Sequence, residues 1–82
     1  METETIKDKI ERWKILAEIL LKENKRVYIK DLSNSYYFAD IILVGENVIT
    51  ILCFAPKEKA NKKYYIYWAN VTHFDEYKEE IR

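Results

Sequence analysis

Half of the aromatic residues in this 82-residue sequence lie in one segment, YYIYWANVTHFDEY, from Tyr64 to Tyr77. Aromatic rings can fill a core and its interface, line a groove for a peptide or ligand, or stack on the bases of a single-stranded nucleic acid. Stacking contributes roughly 1–3 kcal/mol per base and is tolerant of base identity. Tyr65, Tyr67 and Trp68 are the residues to which these three alternatives apply.

A basic loop precedes this aromatic segment; Asn47 lies before the loop and Asn70 lies within the segment. Four lysines lie within residues 57–63 against a single glutamate. This loop is either a solvated turn or a contact for phosphates, whose affinity would depend strongly on salt. The candidates for phosphate contact are Lys59, Lys62 and Lys63. Asn47 and Asn70 are candidates for hydrogen bonds to a base edge, although asparagine more commonly forms turns in such positions.

The residue types that support catalysis or metal binding are sparse. His73 is the only histidine and Cys53 the only cysteine, and they fall on different predicted strands. The acidic residues between 75 and 80 lack the spacing of a calcium loop, and neither a Gly-rich phosphate loop nor a Ser-His-Asp set is present. We therefore expect no enzyme, no catalytic residue, no metal site and no cofactor.

Composition restricts the classes of partner. Net charge is zero, so the chain lacks the basic field with which proteins hold duplex DNA. Hydrophobic residues make up 49% and charged residues 34%, which excludes a disordered chain, and no apolar run is long enough to span a membrane. The first residues do not resemble a signal peptide. We expect a single cytoplasmic domain over residues 1–82, without duplex DNA or membrane partners.

The first element that must position these groups is a helix over about residues 5–24. Its apolar residues recur at steps of three and four: Ile6, Ile10, Trp13, Ala17, Leu20 and Leu21. Thr5 followed by Asp8 is typical of a helix start, and Asn24 of a stop. Ile15, Leu16 and Ile19 widen the apolar stripe, which predicts that the helix touches a second surface.

After Arg26 the apolar period becomes two, which predicts strands. The predicted strands are RVYIKDL, YYFADIILV, VITILCFA, YYIYWA and a short one at residues 72–74. The second would place Tyr37, Ala39, Ile41 and Leu43 on one face. Residues 45–47 predict a tight hairpin. The third strand is apolar on both faces, so we expect it to be covered twice.

This order predicts a mainly β fold, a helix followed by a small, strongly bent antiparallel barrel over about residues 26–75. Antiparallel pairing follows from the lack of crossover helices, and a short bent sheet of five strands is expected to close. Residues 76–82 would form a helical or frayed tail. Unpaired edges of such a barrel attract another chain. The predicted oligomer edge comprises Tyr64, Tyr65, Ile66, Thr72, His73 and Phe74.

Two segments resemble the Sm-like (LSm) family, and most of all bacterial Hfq and the archaeal Sm-like proteins. VYIKDLSN resembles the first strand and turn of the family, and Ala39 falls where the family keeps a glycine. IYWANVTHF resembles its second motif: Ile66, Asn70 and Val71 match, and Phe74 takes the last apolar position. The positions that grip the nucleotide in the family hold Tyr67 and Trp68 here.

The resemblance implies a homo-oligomeric ring, in which the fourth strand of one subunit pairs with the fifth strand of the next, and an RNA-binding role. With aromatics in the nucleotide positions, we expect binding of single-stranded RNA with little sequence preference. Tyr67, Trp68, Asn47 and Asn70 would line the base site, and the three loop lysines would attract the backbone. The alternative is a protein–protein interaction or assembly module on the same fold, without a nucleic-acid role.

Overall fold

The computed structural model describes residues 5–78, which form a helix followed by five strands. Helix α1 spans Ile6–Lys22, and strands β1 to β5 span Arg26–Asp31, Tyr36–Val44, Val48–Ala55, Lys63–Tyr67 and Val71–Glu76. Short 3₁₀ turns, Lys57–Lys59 and Trp68–Asn70, precede β4 and β5. The predicted helix and strands are confirmed. The predicted tail begins later than expected, because β5 continues through Glu76, and residues 79–82 lie outside the described residues.

The ends of α1 follow from side-chain and backbone chemistry at its caps. The hydroxyl oxygen of Thr5 accepts a hydrogen bond from the backbone N–H of Asp8 at 3.1 Å, which satisfies a donor of the first turn. Just beyond the last turn, Asn24 adopts a φ of 57°, a left-handed conformation that asparagine tolerates and that cannot continue a helix. The predicted start and stop of the helix are therefore both confirmed.

The five strands form one antiparallel sheet in the order β4-β3-β2-β1-β5. Within residues 5–78 this sheet is open, because β4 pairs only with β3 and β5 only with β1. The expected closure of the sheet onto itself is therefore not seen. The two edge strands are nevertheless consecutive in the chain and are linked by the turn Trp68–Asn70.

The hydrophobic core lies between α1 and the inner face of the sheet. Trp13, Ala17 and Leu20 are the buried residues of α1. They join a single cluster with buried side chains from all five strands. The strand residues of this cluster are Val27, Ile29, Tyr37, Ala39, Ile41, Ile49, Ile51, Cys53, Ile66, Val71 and Phe74. One core therefore fixes the helix, the sheet and the turns that join the strands.

The register of β2 departs from strict alternation near its end. Tyr37, Ala39 and Ile41 are buried as predicted, but the pairing with β3 shifts between Ile41 and Leu43. A bulge of this kind reverses the face on which the following side chains lie. Leu43 is consequently 60% exposed, and its predicted place on the inner face is wrong.

The outer face of β3 is only partly covered. Thr50 is buried there, whereas Leu52 is exposed and Phe54 is half-buried. Phe54 packs against Phe38 and Tyr77 in a cluster of rings on this outer face. The expectation that both faces of β3 are covered is therefore confirmed for part of the strand, but it is wrong at Leu52, which is exposed.

Candidate nucleic-acid and assembly site

Two turns meet at one end of the sheet, and Trp68 joins them. The backbone N–H of Trp68 donates to the carbonyl oxygen of Asn47 at 2.9 Å, and its indole N–H donates to that of Gly45 at 3.2 Å. The ring packs against Phe74, with the ring centroids 5.5 Å apart. Trp68 is only 2% exposed, so its ring has no free face for a base. The prediction that Trp68 stacks on a base is therefore wrong, because the residue is buried. Its role is structural.

A cleft of about 510 Å³ opens beside these turns, between them and the first half of α1. This volume lies within the range of small-ligand pockets. Asn47 and Tyr67, both predicted site residues, lie together on its wall, and Tyr67 is 60% exposed. The other lining residues are Ile6, Lys7, Ile10, Glu11, Lys14, Glu46, Trp68 and Ala69. The cleft therefore combines aliphatic side chains of the helix with the amide of Asn47, from the turn before β3, and the phenol of Tyr67, at the end of β4.

Three of the four charged residues of the cleft, Lys7, Glu11 and Lys14, come from the helix, and sequence reasoning missed them. The Lys14 ammonium lies 3.4 Å from a carboxylate oxygen of Glu11 and 3.8 Å from one of Glu46. Lys7 lines the same cleft one heptad earlier. Lysines seven residues apart share a helical face, and this spacing was visible in the sequence. The sequence did not show that this helical face lies next to the turn between β2 and β3.

The loop lysines lie toward the other end of β4. Lys63 is opposite Leu52 on β3, whereas Tyr67 is opposite Val48. Four residues of strand separate the two positions, which corresponds to roughly 13 Å. The structure therefore does not bring the loop lysines to the cleft.

Lys59 is engaged within the protein. Its ammonium donates to the backbone oxygen of Tyr36 at 2.7 Å and lies 4.2 Å from the ring centroid of Tyr37. Lys62 and Lys63 are exposed. Of the three predicted phosphate contacts, Lys59 thus has a structural role, and the other two remain accessible to a partner.

Asn70 is exposed but does not line the cleft. Its backbone oxygen accepts a hydrogen bond from the N–H of Leu32 at 2.9 Å, which ties the turn before β5 to the loop after β1. The predicted base site of four residues therefore reduces, within the described residues, to Asn47 and Tyr67.

An exposed row of side chains follows the outer face of β4. Lys63, Tyr65 and Tyr67 alternate with Tyr64 and Ile66, which face the core. Side chains two residues apart on a strand are roughly 7 Å apart. Tyr65, at 67% exposure, and Tyr67 therefore present two neighbouring rings with a lysine beyond them.

The predicted oligomer edge lies on both edge strands of the sheet. In β4, Tyr65 is exposed, Tyr64 half-buried and Ile66 buried. In β5, His73 is exposed and Phe74 buried, and the Thr72 hydroxyl donates to the backbone oxygen of Lys30 at 3.1 Å. On the outer face, exposed Tyr65 lies opposite Thr50, a buried polar residue, and Thr50 lies opposite exposed Leu43.

A partly buried hydrogen-bonded pair, Tyr37 and Asp31, stabilises the loop after β1. The Tyr37 hydroxyl donates to Asp31 at 3.0 Å, and Ser33 and Ser35 also donate to this carboxylate. Burial, and then the bond to Asp31, raise the pKa of Tyr37 to about 12. Burial alone would raise the pKa of Asp31, but the bonds from Ser33, Tyr37 and Ser35 outweigh it and lower the pKa. This pair is structural, because one carboxylate oxygen of Asp31 accepts from Tyr37 and the other from Ser33 and Ser35.

Cys53 and His73 are not positioned to act together. Cys53 is buried on β3, where burial raises the pKa of its thiol. His73 is exposed on β5, with β1 and β2 between the two strands. Across residues 5–78, no group of three or more His, Cys, Asp or Glu side chains is arranged to hold a metal ion.

Comparison with models of known protein families finds no match, and comparison with curated proteins finds no significant match. Within the described part of the chain, no helix is both long and apolar enough to cross a membrane. The features of the molecule that bear on its function are therefore the cleft, the exposed row on β4 and the two edges of the sheet.

Proposed function

We propose that the protein is an Sm-like β-protein that assembles with copies of itself and binds single-stranded RNA with little base preference. The strand order supports the fold, since the two edge strands are consecutive and joined by one short turn. Ile66 of β4 and Phe74 of β5 belong to the same core cluster. Both edge strands therefore contribute to one core, and this shared core supports the proposal of a bent, barrel-like sheet.

Assembly is supported by the outer sides of β4 and β5, along which no other strand of the described residues pairs. An unpaired strand edge is a template for another chain. The outer face beside the β4 edge also carries exposed apolar side chains, namely Leu43, Leu52, Tyr65 and Tyr67. Pairing of β4 with β5 of a neighbouring copy would satisfy both edges, and repetition of this contact would give a ring.

The observation that supports RNA binding is the position of Tyr67. This ring is exposed at the mouth of the cleft, beside Asn47 and about 7 Å from Tyr65. A base on Tyr67 would have the Asn47 amide within the same cleft, and the next base would reach Tyr65. Backbone pairing at the β4 edge leaves these outer-face rings accessible, so RNA binding and assembly are compatible. The role is one of binding, without a catalytic step.

The test is binding of labelled oligo-U and oligo-A to the native protein and to Tyr67→Ala, at low and at physiological salt. Loss of one stacking ring reduces affinity about five- to 150-fold for both RNAs. Tyr36→Ala is the control, because Tyr36 is also an exposed tyrosine but lies on β2 outside the cleft. Light scattering on each variant verifies that assembly is unchanged.

The second candidate function is an assembly module without RNA. It is favoured by the zero net charge and by the carboxylates of Glu11 and Glu46 around Lys14, which reduce the positive field of the cleft. An oligomer that binds neither RNA at low salt supports this second function and excludes the first.

A further inference from the structure

Two isoleucines of α1 lie on the side of the helix that faces away from the sheet. Ile15 is 60% exposed and Ile19 is 47% exposed. In an α-helix both lie roughly 160° around the axis from Ala17, which is buried in the core. A helix that packs only against its own sheet carries polar residues on this side. The exposed apolar pair therefore indicates a further contact.

An apolar groove continues this side of the helix toward β5. It has a volume of about 420 Å³, and its apolar lining comprises Trp13, Ile15, Leu16, Ile19 and Phe74. Leu16 is partly buried against the core. Apolar surface therefore extends without a break from the exposed isoleucines to the core, and a partner on this side would contact a continuous strip of α1.

Exposed charges flank the isoleucine pair in a pattern that complements itself. Arg12 and Glu23 lie on one side of the pair, and Glu11 and Lys22 lie on the other side. Each side thus carries one acid and one base, at opposite ends of the helix. An antiparallel copy of α1 reverses the ends and keeps the sides, so it sets acid beside base along both sides.

The isoleucines and the charges select the same register. When Ile15 of one helix lies opposite Ile19 of the other, the acid and the base on each side also come within one residue of the same height. When Ile15 lies opposite itself, Glu11 instead comes beside Glu18 of the second copy, and both are acidic. A parallel pair would set equal ends of the two helix dipoles side by side, which is unfavourable.

The charges of this pattern can reach a second copy. Lys22 makes no ion pair with another described residue. Glu11 lies 3.4 Å from Lys14, and Glu23 lies 3.7 Å from Lys25. A carboxylate has about four acceptor sites, so each of these acids can take a second cation.

We propose that α1 of one copy packs antiparallel against α1 of a second copy, with Ile15 against Ile19, in a contact of two-fold symmetry. The acids and bases on both sides of the isoleucines then face one another. This contact uses neither edge of the sheet, so it goes beyond the proposed assembly and is compatible with it. The head-to-tail contact alone builds one ring, and the helix contact joins such rings in pairs.

Replacement of both isoleucines by serine tests the apolar contact. Ile15→Ser/Ile19→Ser is expected to halve the particle mass measured by light scattering, while circular dichroism shows an unchanged fold because both side chains are exposed. Leu32→Ser is the control, since Leu32 is 67% exposed but lies in the loop after β1. A double variant with the native mass at every concentration overturns the helix contact and leaves the proposed edge assembly intact.

Charge reversal tests the ionic contacts. Lys22→Glu and Glu11→Lys each set like charges side by side in both halves of the contact, and we expect roughly three- to tenfold weaker association from each. The variant that combines the two changes restores opposite charges and recovers most of the native association. Lys57→Glu is the control, since it changes net charge as Lys22→Glu does but lies in an exposed 3₁₀ turn. A combined variant that associates no more tightly than the single ones overturns the charge pairing.

Disulfide trapping tests the register independently of charge. Under mild oxidation, a mixture of Ile15→Cys and Ile19→Cys proteins is expected to give covalent dimers, while each variant alone gives few. The native Cys53 is buried and does not compete. Covalent dimers from Ile15→Cys alone, or none from the mixture, overturn the antiparallel register.

The mass of the native protein separates this contact from the proposed edge assembly. A native dimer that the serine variant converts to a monomer supports the helix contact and overturns assembly through the strand edges. A native protein that is monomeric at all concentrations overturns both.

Discussion

At the scale of single residues, Tyr37 shows how a polar group is accommodated in the core. Its ring lies on the inner face of β2, packed against Tyr64 with centroids 5.1 Å apart, while its hydroxyl reaches the Asp31 carboxylate. Burial and this hydrogen bond both favour the protonated phenol, so the pKa of Tyr37 rises to about 12. The folded state therefore holds this proton more tightly than the unfolded chain, whose tyrosine pKa is about 10.

The raised pKa of Tyr37 predicts a loss of stability in alkali. Its contribution is fully present below about pH 10 and is lost as the pH rises from about 10 to 12. We expect Tyr37→Phe to be less stable at neutral pH by about 1 kcal/mol, because Asp31 loses a donor. The same variant loses stability less steeply between pH 10 and 12.

Denaturant unfolding at several pH values measures both effects. Tyr36→Phe is the matched control, since the side chain of Tyr36 is exposed on the same strand. Equal pH slopes for the native protein and Tyr37→Phe above pH 10 contradict this account of Tyr37.

Residue alternation predicted the exposure of this region better than the family resemblance did. The period of two along YYIYWA places Trp68 with Ile66 and Tyr64, opposite Tyr65 and Tyr67, and the structure has this arrangement. The resemblance assigned Trp68 to a base site, although the residue is buried. Replacement of Trp68 by Ala would leave a large cavity, and for this reason Tyr67 is the better position at which to test RNA binding.

At the scale of elements, the turn between β2 and β3 determines the shape of the cleft. The Gly45 N–H donates to the Val48 oxygen at 2.9 Å and closes the hairpin, and the Gly45 carbonyl accepts the indole N–H of Trp68. A Cβ atom on Gly45 would lie 2.6 Å from the same Val48 oxygen. Only glycine permits this close approach, because the contacting atom belongs to the backbone and cannot rotate away.

We therefore expect Gly45→Ala to lower the free energy of unfolding by about 1–3 kcal/mol. The turn must shift, and with it the acceptor of the Trp68 indole. Chemical denaturation measures the loss, and tryptophan fluorescence reports the change around the indole. Glu46→Ala, one residue later on the exposed part of the turn, should be close to neutral. Equal stability of the two variants would contradict the proposed close contact.

The elements themselves were largely predictable, and the failures have physical causes. Strand positions follow from the period of two because one face is buried and the other is exposed. The bulge in β2 was not predictable, since residues 41–44 are all apolar and alternation carries no information there. The cleft was not predictable either, because it depends on the packing of α1 against the two turns.

At the scale of the whole molecule, the distribution of apolar surface favours association. A chain of 82 residues has a small core for its surface, and self-association adds buried area that a single copy lacks. Ile15 and Ile19 leave a second apolar strip on α1, as the wide stripe in the sequence predicted. The sequence predicted the edge strands correctly, but the sheet order was needed to show that, within residues 5–78, each of them pairs along one side only.

Assembly predicts that thermal stability depends on protein concentration. Because association stabilises only the folded copies, Tm is expected to rise by several degrees for each tenfold increase in concentration. Differential scanning calorimetry over a hundredfold range measures this shift. A constant Tm across that range would contradict self-assembly.

The turn Trp68–Asn70 sets the angle between the directions in which the two edge strands run. In a head-to-tail assembly, this angle fixes how far each successive copy is rotated from the previous one. A rotation that divides evenly into a full circle ends growth after a fixed number of copies, and any other rotation, or a pitch along the axis, produces a filament. If the proposed assembly forms, the packing of one indole against Gly45 and Phe74 therefore sets how many copies it contains.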